Sequence, residues 1–287
     1  FDHLSLRIFG LVLNETQVNT YTRGIQESPD VCGLDDGGFV ITWHGEGPGG
    51  VGYDIYAQVY NSDLSKRSQE IRVNTDLIGD QKNPSVAKIP NGFVIVYDSS
   101  TTGSTSSQSI KAQMFFSNGT LRGSEFIVSS ANLPGNGARP SVSGLGDDGF
   151  VIVWDQISQG VTNILGQRYY PNGSLNGLNF QVNIRIGADN YHTSVSAFED
   201  GGFLVTWYSV EGNQYKLWAR VYLQDGTPRG NEVIVYESLP GKEAHPSGGC
   251  LTDGRFVVVW HGYDENSDNL DIFLKIFSAD GTEGLGK

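Results

Sequence analysis

The residues of this chain that could support catalysis are few, and they recur at fixed spacing. Glycosidases use a pair of carboxylates, one as acid and the other as base or nucleophile. The position that could supply such a group holds Asp30 once and serine in its four other copies: Ser85, Ser141, Ser194 and Ser247. Because one carboxylate cannot do the work of two, the sequence predicts that the chain is not an enzyme. A glycoside hydrolase is kept as a remote alternative.

Four histidines stand beside apolar segments in two pairs. His44 and His261 each follow a tryptophan, whereas His192 and His245 each precede the first apolar run of a repeat. A protein metal site needs three or four convergent ligands, and the sequence indicates no third ligand for either pair. We therefore expect solvated loop histidines, no metal site and no cofactor.

A third series of residues is aromatic and ends the second apolar run in every copy of the repeat: Trp43, Tyr97, Trp154, Trp207 and Trp260. One interpretation is a lectin, in which each ring is a platform for a sugar. The other is packing between adjacent sheets. A phenylalanine four residues earlier lies on the same face of the strand, and both series occur in all five copies, so packing is favoured.

The two cysteines, Cys32 and Cys250, fall in the same segment of the first and last repeats. If those repeats are neighbours in space, a disulfide would close a very long loop and stabilise the fold by a few kcal/mol. The alternative is two buried free thiols, which pack as small apolar side chains. The one-residue offset puts the two side chains on opposite faces of adjacent strands. The disulfide is the expectation.

Three N-x-S/T sequences indicate N-glycosylation, at Asn14, Asn118 and Asn172. They are assigned to the turn between the third and fourth apolar runs, which is expected to be exposed. Asn-Gly also forms a good turn by itself, so a purely structural explanation stays open for Asn118 and Asn172. In a secreted eukaryotic chain we expect all three to carry glycans.

These residues are positioned by a fivefold repeat. Its anchor phenylalanines are spaced 54, 57, 53 and 53 residues apart, at Phe39, Phe93, Phe150, Phe203 and Phe256. Nine or ten residues before each anchor is a matching position, occupied by Pro29, Pro84, Pro140, Thr193 and Pro246. Each copy contains short runs rich in Val, Ile, Phe and Tyr, bounded by Gly, Asn and Asp, which is typical of β-strands.

Four short strands per copy, joined by Asn-Gly and Asp-Gly hairpin turns, predict an all-β, five-bladed β-propeller with four antiparallel strands per blade. The middle runs are apolar at successive positions, so both faces of each sheet must be buried against neighbouring sheets. No segment keeps the 3.6-residue period of a helix. We expect one domain over residues 1–287.

The ends of the chain indicate how the ring would close. The fifth copy ends after its third run, and the TQVNT segment at residues 16–20 matches a fourth run. We expect this N-terminal strand to complete the last blade. The segment at residues 5–10 resembles a third run and is surplus. It could be a local fifth strand, part of a longer array, or a contact to another chain in a homo-oligomer or fibril.

The composition limits the possible partners. The net charge of −13 argues against nucleic acid, because phosphate backbones require clustered Lys and Arg. No apolar run approaches the ~20 residues that cross a bilayer, so membrane insertion is not expected. Loops that vary in length and sequence join the second and third strands, and variable loops on a constant scaffold often carry binding. They lie at residues 45–54, 99–109, 156–163, 209–215 and 262–269.

The motif series "QVNT…PSVA…DGGFVITW…YDIYAQVY" resembles the repeats, each of roughly 50 residues, of large secreted or surface proteins of bacteria and protists. The resemblance covers nearly the whole chain through its five copies. It implies an extracellular or cell-surface location and an adhesive or structural role. The function expected from the sequence is therefore a non-catalytic glycoprotein subunit of a surface or fibrous assembly, with glycans as a possible ligand. The alternative is a lectin with one site per blade.

Overall fold

The structure, a computed structural model, is all-β, as predicted. It describes residues 15–48, 52–100, 108–130, 133, 138–158, 160–185, 187–212, 214–240, 245–263 and 270–282. Nineteen strands and no helix occur in these residues. They therefore contain no helix that could span a membrane.

The strands form five antiparallel sheets, one for each repeat, and the strands of a sheet are paired in chain order. The first sheet consists of β1 (Gln26–Gly33), β2 (Phe39–Glu46), β3 (Tyr53–Tyr60) and β4 (Ile71–Arg72). The second sheet consists of β5 (Asp80–Ile89), β6 (Gly92–Ser100), β7 (Gln108–Phe116) and β8 (Phe126–Ser129).

The third sheet consists of β9 (Ser141–Gly144), β10 (Phe150–Ser158), β11 (Val161–Tyr169) and β12 (Phe180–Gln181). The fourth sheet consists of β13 (Asp189–Ala197), β14 (Phe203–Glu211), β15 (Gln214–Tyr222) and β16 (Val233–Pro240). The fifth sheet has three strands, β17 (Ser247–Cys250), β18 (Phe256–Tyr263) and β19 (Leu270–Phe277).

The hairpins between the first two strands of each sheet are held by the Asn and Asp residues of the repeat. Asn91 and Asp148 adopt φ angles of 61° and 65°, in the left-handed region that these residues tolerate. Asp36 and Asp200 each accept a hydrogen bond from the backbone N–H two residues later, at 3.0 and 2.9 Å. These acidic side chains therefore shape the turns.

Successive sheets pack face to face around an axis lined by their first strands. Strands β1, β5, β9, β13 and β17 contact one another in that order. The apolar cluster between the first two sheets combines Val40 and Ile55 of the first with Val86 and Phe93 of the second. Equivalent clusters join the second sheet to the third, the third to the fourth and the fourth to the fifth. The sequence is therefore repeated because no single sheet could bury both of its faces without a neighbouring sheet on each side.

The aromatic series that ends the second strands is buried between the sheets. The exposed fractions lie between 0% and 5% for Trp43, Tyr97, Trp154, Trp207 and Trp260. Each anchor phenylalanine also stacks on an aromatic ring of the neighbouring strand, as Phe93 does on Phe115, with 5.1 Å between ring centroids. The ring faces that a lectin would offer to sugars are therefore occupied by protein atoms.

The ring is open between the fifth and first sheets. Val31 of the first sheet is 60% exposed, whereas the equivalent Val86, Val142 and Val195 are 5–8% exposed. Ile272 on the fifth sheet is 80% exposed, whereas its four equivalents are fully buried: Ile55, Ile110, Ile164 and Leu217. Of the clusters formed by the described residues, none joins these two sheets.

The predicted N-terminal closing strand is not part of the fifth sheet. Residues 16–20 lie instead along the first sheet, where the Thr20 N–H donates to Glu70 (2.6 Å) and the Lys66 ammonium donates to the carbonyl of Val18 (3.1 Å). Within the described residues the fifth sheet therefore has three strands rather than the predicted four. The surplus segment at residues 5–10 lies outside the described residues.

The predicted disulfide is absent, since Cys32 and Cys250 are both free thiols. Cys32 packs into the cluster shared with the second sheet, and Cys250 packs into the cluster shared with the fourth. Each side chain therefore points away from the opening between the first and fifth sheets, which a bridge would have to cross. Burial raises the pKa of each thiol to about 12.

Candidate functional site

The first strands of three sheets contain a β-bulge. The pairing register shifts between Glu27 and Asp30, between Lys82 and Ser85, and between Tyr191 and Ser194. In four copies the residue that precedes the matching position of the repeat (Pro29, Pro84, Pro140 or Thr193) takes a positive φ of 38–55°: Ser28, Asn83, Arg139 and His192. Such angles are unusual for residues other than glycine, and bulges with re-aimed side chains are common beside active sites.

A second polar series follows the aromatic residue of each second strand: His44, Asp98, Asp155, Tyr208 and His261. Two of its members accept a hydrogen bond from the bulge of the next sheet. His44 Nδ1 accepts the Asn83 N–H at 3.3 Å, and Asp155 Oδ2 accepts the His192 N–H at 3.2 Å. Where the two series meet, they form what we call the axial cluster: Asn83, Asp98, Arg139, Asp155, His192, His245 and His261.

Two carboxyl groups of the axial cluster are shielded from water, Asp155 fully and Asp98 partly. Asp155 is 1% exposed, and burial raises its pKa well above the ordinary value. Burial also raises the pKa of Asp98 to about 7, against the opposing effects of the Asn83 hydrogen bond and the Arg139 charge. The Oδ1 atom of each carboxyl group has no hydrogen-bond partner among the described residues. Each carboxyl group therefore has one buried oxygen whose capacity to accept a hydrogen bond the described residues leave unused.

The two carboxyl groups are coupled to each other and to one cation. The charge of Asp98 raises the pKa of Asp155, while the Arg139 guanidinium lowers the pKa of both. Arg139 also contacts the ring of His192, with 2.7 Å between Nη1 and Nδ1. Burial and then Arg139 lower the pKa of His192 to about 3, so this imidazole is neutral at physiological pH and can accept the contact.

Three histidines that the sequence placed in different pairs meet at one side of the cluster. The rings of His192 and His245 stack with 4.0 Å between centroids, and His245 meets His261 edge-on at 5.1 Å. His44 does not belong to this group; its Nε2 atom lies 3.2 Å from Glu27 Oε1. The described residues contain no group of three or more His, Cys, Asp or Glu side chains arranged to hold a metal ion.

Asp30, the carboxylate singled out in the sequence, joins adjacent first strands. Its Oδ2 accepts the Val86 N–H at 2.8 Å. Serine does the same in the next two copies, where Ser85 accepts from Val142 and Ser141 accepts from Val195. The position therefore fastens one sheet to the next.

Asp98, Arg139 and Asp155 are not among the candidate residues that the sequence pattern indicated. The available signal was variation in a repeat whose apolar positions are nearly constant. The residue after each strand-ending aromatic residue and the residue before Pro29 and its equivalents are polar and vary among the copies. The cluster lies where the second strands end, on the face that carries the loops between second and third strands.

The other end of the axis is a cavity of about 610 Å³. It is lined by residues near the ends of the first strands of four sheets, among them Cys32, Val86, Leu145 and Phe198. The described residues of the fifth sheet do not line it, which agrees with the open ring.

Two of the three predicted glycosylation positions can be placed. Asn118 and Asn172 are exposed in turns between third and fourth strands. Their Oδ1 atoms accept from the N–H and hydroxyl groups of Thr120 and Ser174. Asp225 and Asp280 make the same backbone contact with the threonine two residues later, so this geometry serves the turn itself. Asn14 lies outside the described residues, and occupancy of all three stays a prediction.

No family model and no curated protein sequence matches this chain. Among solved structures, a protein of unknown function from Dyadobacter fermentans is similar with a TM-score of 0.62 and 11% identity, over 90% of this chain and 80% of that one. An α-L-arabinofuranosidase from Fusarium graminearum, solved with an iminosugar inhibitor, has a TM-score of 0.57 and 12% identity, over 88% of this chain and 76% of that one. A Trypanosoma rangeli sialidase has a TM-score of 0.53 and 10% identity, over 92% of this chain and 49% of that one.

These findings contradict the expected non-catalytic structural or adhesive subunit. The argument against an enzyme depended on a single axial carboxylate, and the structure places both Asp98 and Asp155 in the axial cluster. The similar solved structures include two glycosidases. At 10–12% identity, what this chain shares with them is a β-propeller-like fold.

Proposed function

We propose that this chain is a glycoside hydrolase whose two working carboxyl groups are Asp98 and Asp155. The observation that carries the proposal is the coupled pair itself: two carboxyl groups that share the influence of one guanidinium, each with an oxygen that has no hydrogen-bond partner among the described residues. Glycoside hydrolysis needs one protonated and one ionised carboxyl group at the same time. Carboxyl groups that interact across a buried site lose their protons in two separate steps, and the singly protonated pair supplies both forms.

The roles follow from the environments of the two groups. Asp155 is the more buried and keeps its proton, so it protonates the glycosidic oxygen as the bond to the anomeric carbon breaks. Asp98 ionises near pH 7 and is the carboxylate. It either takes a proton from the attacking water or attacks the anomeric carbon itself, depending on the separation of the two groups in the complex. Arg139 favours the single negative charge that the pair carries in this state.

Support also comes from the fold, since the arabinofuranosidase and the sialidase are glycosidases built on a similar fold. The sugar would enter from the face that carries the axial cluster. Neutral glycosides are favoured over polyanionic ones, because the net charge of the chain is −13 and repels anionic polymers.

The test is hydrolysis of a panel of 4-nitrophenyl glycosides that includes the α-L-arabinofuranoside. Loss of either carboxyl group, in Asp98→Ala or Asp155→Ala, should lower kcat/KM about 10²–10⁴-fold, the usual value for a general acid or base. Asp35→Ala is the matched control, because Asp35 is exposed in a hairpin turn at the other end of the axis. Turnover that survives in both folded axial variants would exclude these roles. Binding of sugars without turnover by the wild type would identify a binding protein.

We also propose that the fold is a single five-bladed ring, which is closed when the N-terminal segment pairs with the fifth sheet. We also propose that the chain is secreted and that Asn118 and Asn172 carry N-glycans, which their exposure supports. A fall in intact mass after treatment of the natively expressed chain with an N-glycosidase, together with its loss in Asn118→Gln and Asn172→Gln, checks the glycans.

A further inference from the structure

We propose that the exposed rings of Phe116 and Tyr170 bind the first sugar of the N-glycans on Asn118 and Asn172. The aromatic ring, the sugar and the N-x-S/T sequence then form one unit that stabilises the turn between a third and a fourth strand. This inference rests on the N-glycans proposed above and is independent of the proposed reaction.

The two aromatic residues occur only in the copies of the repeat that have asparagine in this turn. In the other three copies an aspartate takes the turn position and accepts the same backbone hydrogen bond at 2.8–3.0 Å: Asp63, Asp225 and Asp280. The residue two positions earlier is not aromatic in those copies: Asn61, Leu223 and Ser278. Because aspartate forms the turn equally well, the turn alone does not explain why asparagine and an aromatic ring occur together.

The turn places each aromatic side chain on the same face as the hydroxyl residue of the N-x-S/T sequence. The Phe116 N–H donates to the Thr120 carbonyl at 2.8 Å, and the Gly119 N–H donates to the Phe116 carbonyl at 2.8 Å. Phe116 and Thr120 are therefore directly opposed across the hairpin, and opposed residues have neighbouring side chains on one face. Tyr170 and Ser174 are related in the same way, also at 2.8 Å.

The asparagine side chains lie against the same hydroxyl residues. Asn118 Oδ1 accepts from the N–H of Thr120 at 2.9 Å and from its hydroxyl at 2.7 Å. Asn172 Oδ1 accepts from the two groups of Ser174 at 3.0 and 2.7 Å. Within the described residues no hydrogen bond uses the Nδ2 atom of either asparagine. An N-glycan is joined to this nitrogen, so its first sugar begins beside the aromatic ring.

Both aromatic rings have free surface for a sugar. Phe116 is 44% exposed and Tyr170 is 50% exposed, whereas the residues before them, Phe115 and Tyr169, are 0% and 2% exposed. The π face of an aromatic ring is negative and attracts weakly positive groups, such as the C–H groups on one face of a pyranose. The first sugar thus covers apolar surface that the described residues leave exposed.

Arg122 orients the ring of Phe116. Its guanidinium carbon lies 5.7 Å from the ring centroid, within the range of a cation–π contact, and its Nη2 atom donates to the carbonyl of Pro171 at 2.9 Å. One arginine therefore joins the ring beside the first glycan to the turn that carries the second. The third copy has Asn176 at this position. We expect the tighter sugar contact at Phe116, because a ring that is already oriented loses less conformational freedom on binding.

The occupant is the sugar of the same turn rather than a free sugar or a second copy of the chain. A sugar joined to the residue two positions after the ring reaches it in an intramolecular event, which has a high effective concentration. A second copy would have to bring another net charge of −13 close to the first.

Removal of the sugar tests the contact in the full chain, secreted from a eukaryotic host. An N-glycosidase leaves aspartate at the glycosylated position, which is the residue that the other copies use, so the turn is kept and the sugar is lost. The amides of Phe116 and Gly119 should then exchange with D₂O about two- to tenfold faster, the effect of one aromatic contact. Trimming to a single N-acetylglucosamine should leave their exchange slow. An equal increase in Phe116→Ser, which has the serine of the fifth copy, would overturn the proposal.

The fourth copy offers a matched gain of contact. Asp225→Asn converts its turn into an Asn-Gly-Thr sequence without a ring, and Leu223→Phe in the same chain adds a ring at the position of Phe116. Removal of the sugar should speed exchange of the Gly226 amide, which donates to the Leu223 carbonyl at 2.9 Å, only in the double variant. Nuclear Overhauser contacts between aromatic protons and the first sugar should appear at Phe116, at Tyr170 and in the double variant.

The possible outcomes separate this inference from the glycan proposal. Unmodified Asn118 and Asn172 in the intact mass would overturn both. Modified asparagines whose sugars make no contact with the rings, or equal effects in the single and double variants of the fourth copy, would overturn the sugar contact and leave the glycans. Rings that become protected only when the sugar-free chain dimerises would overturn it in favour of a second copy. None of these measurements depends on enzymatic activity.

Discussion

Asp98 and Asp155 follow the aromatic residue that ends a second strand, where Asp98 accepts a hydrogen bond from Asn83 of its own sheet and Asp155 accepts one from the bulge of the next sheet. His44 makes the same kind of contact in the first sheet without a carboxylate. Two adjacent sheets that carry Asp there bring two buried negative charges together, which is costly unless a cation or a proton intervenes. Arg139 supplies the cation at a backbone angle, φ 38°, that arginine rarely adopts. Strain of this kind is typical of functional sites.

Arg139 should set the pH at which the pair works. It lowers the pKa of Asp98 and Asp155, so Arg139→Met removes a charge that favours the ionised forms. The acidic limb of the pH profile of kcat/KM should move upward by about one unit, a typical effect of one neighbouring charge. A ¹³C titration of the aspartate carboxyl groups reports the same shift without depending on activity.

Arg255→Met is the control for that experiment, because Arg255 pairs with Asp253 in an exposed turn. It should leave both the profile and the axial titration in place. An unchanged acidic limb in a folded Arg139→Met variant would mean that the guanidinium does not act on the pair.

At the scale of the strand and sheet, the second repeat departs from the others. It has Tyr97 where they have tryptophan, and Lys111 in place of an apolar or aromatic residue on the third strand. The Lys111 ammonium donates to Glu125 (2.9 Å) and to Asp76 (2.5 Å), and the Tyr97 hydroxyl also donates to Glu125. A polar network therefore replaces part of an apolar interface, and it is fully connected, as a buried network must be.

Glu125 should make the stability of this sheet depend on pH. Burial acts to raise its pKa, but hydrogen bonds from Tyr97, the Thr75 N–H and Lys111 outweigh burial and hold the pKa below its ordinary value. Because the folded pKa is the lower one, the stabilisation is present above the unfolded pKa of about 4.3. This stabilisation is lost as the pH falls through the pKa of Glu125 in the folded protein. Glu125→Gln should cost about 1–3 kcal/mol at pH 7 and progressively less toward pH 3.

Urea unfolding at both pH values measures this difference, with Glu199→Gln as the control, because Glu199 is exposed in a hairpin turn. A cost that is the same at pH 7 and pH 3 would show that Glu125 contributes through packing alone.

At the scale of the whole molecule, the open side of the ring decides how the chain behaves. If the first and fifth sheets meet in solution, Ile272 is an interface residue. Ile272→Asp should then lower the free energy of unfolding by about 2 kcal/mol or more, as expected for a charge placed in an apolar contact. Leu178→Asp is the matched control, since Leu178 is 90% exposed and such surface changes usually stay within about 0.5 kcal/mol.

Equal, small effects of the two substitutions in a chemical denaturation experiment would show that the opening stays solvated. The experiment needs no bound ligand and no enzymatic assay.

The five sheets could be predicted from the sequence because each hairpin is encoded locally. The signals are Phe39 and its four equivalents, together with the Asn-Gly and Asp-Gly turns. The sequence was insufficient for the axial cluster, since Asp98 and Asp155 are 57 residues apart and meet only through the stacking of sheets. The cysteine prediction failed for a related reason: adjacency of two strands does not say which face each thiol occupies. Cys32 and Cys250 both face inward, away from the opening.

The apolar clusters described above also set how the molecule comes apart. Each cluster joins only consecutive sheets, so the open chain is a linear nearest-neighbour system, in which stability is shared between units and the interfaces between them. The inner sheets have two such interfaces and the terminal sheets have one. Local unfolding, and with it proteolysis, would therefore begin at the first and fifth sheets, and joining those two would remove the weak ends from which unfolding spreads.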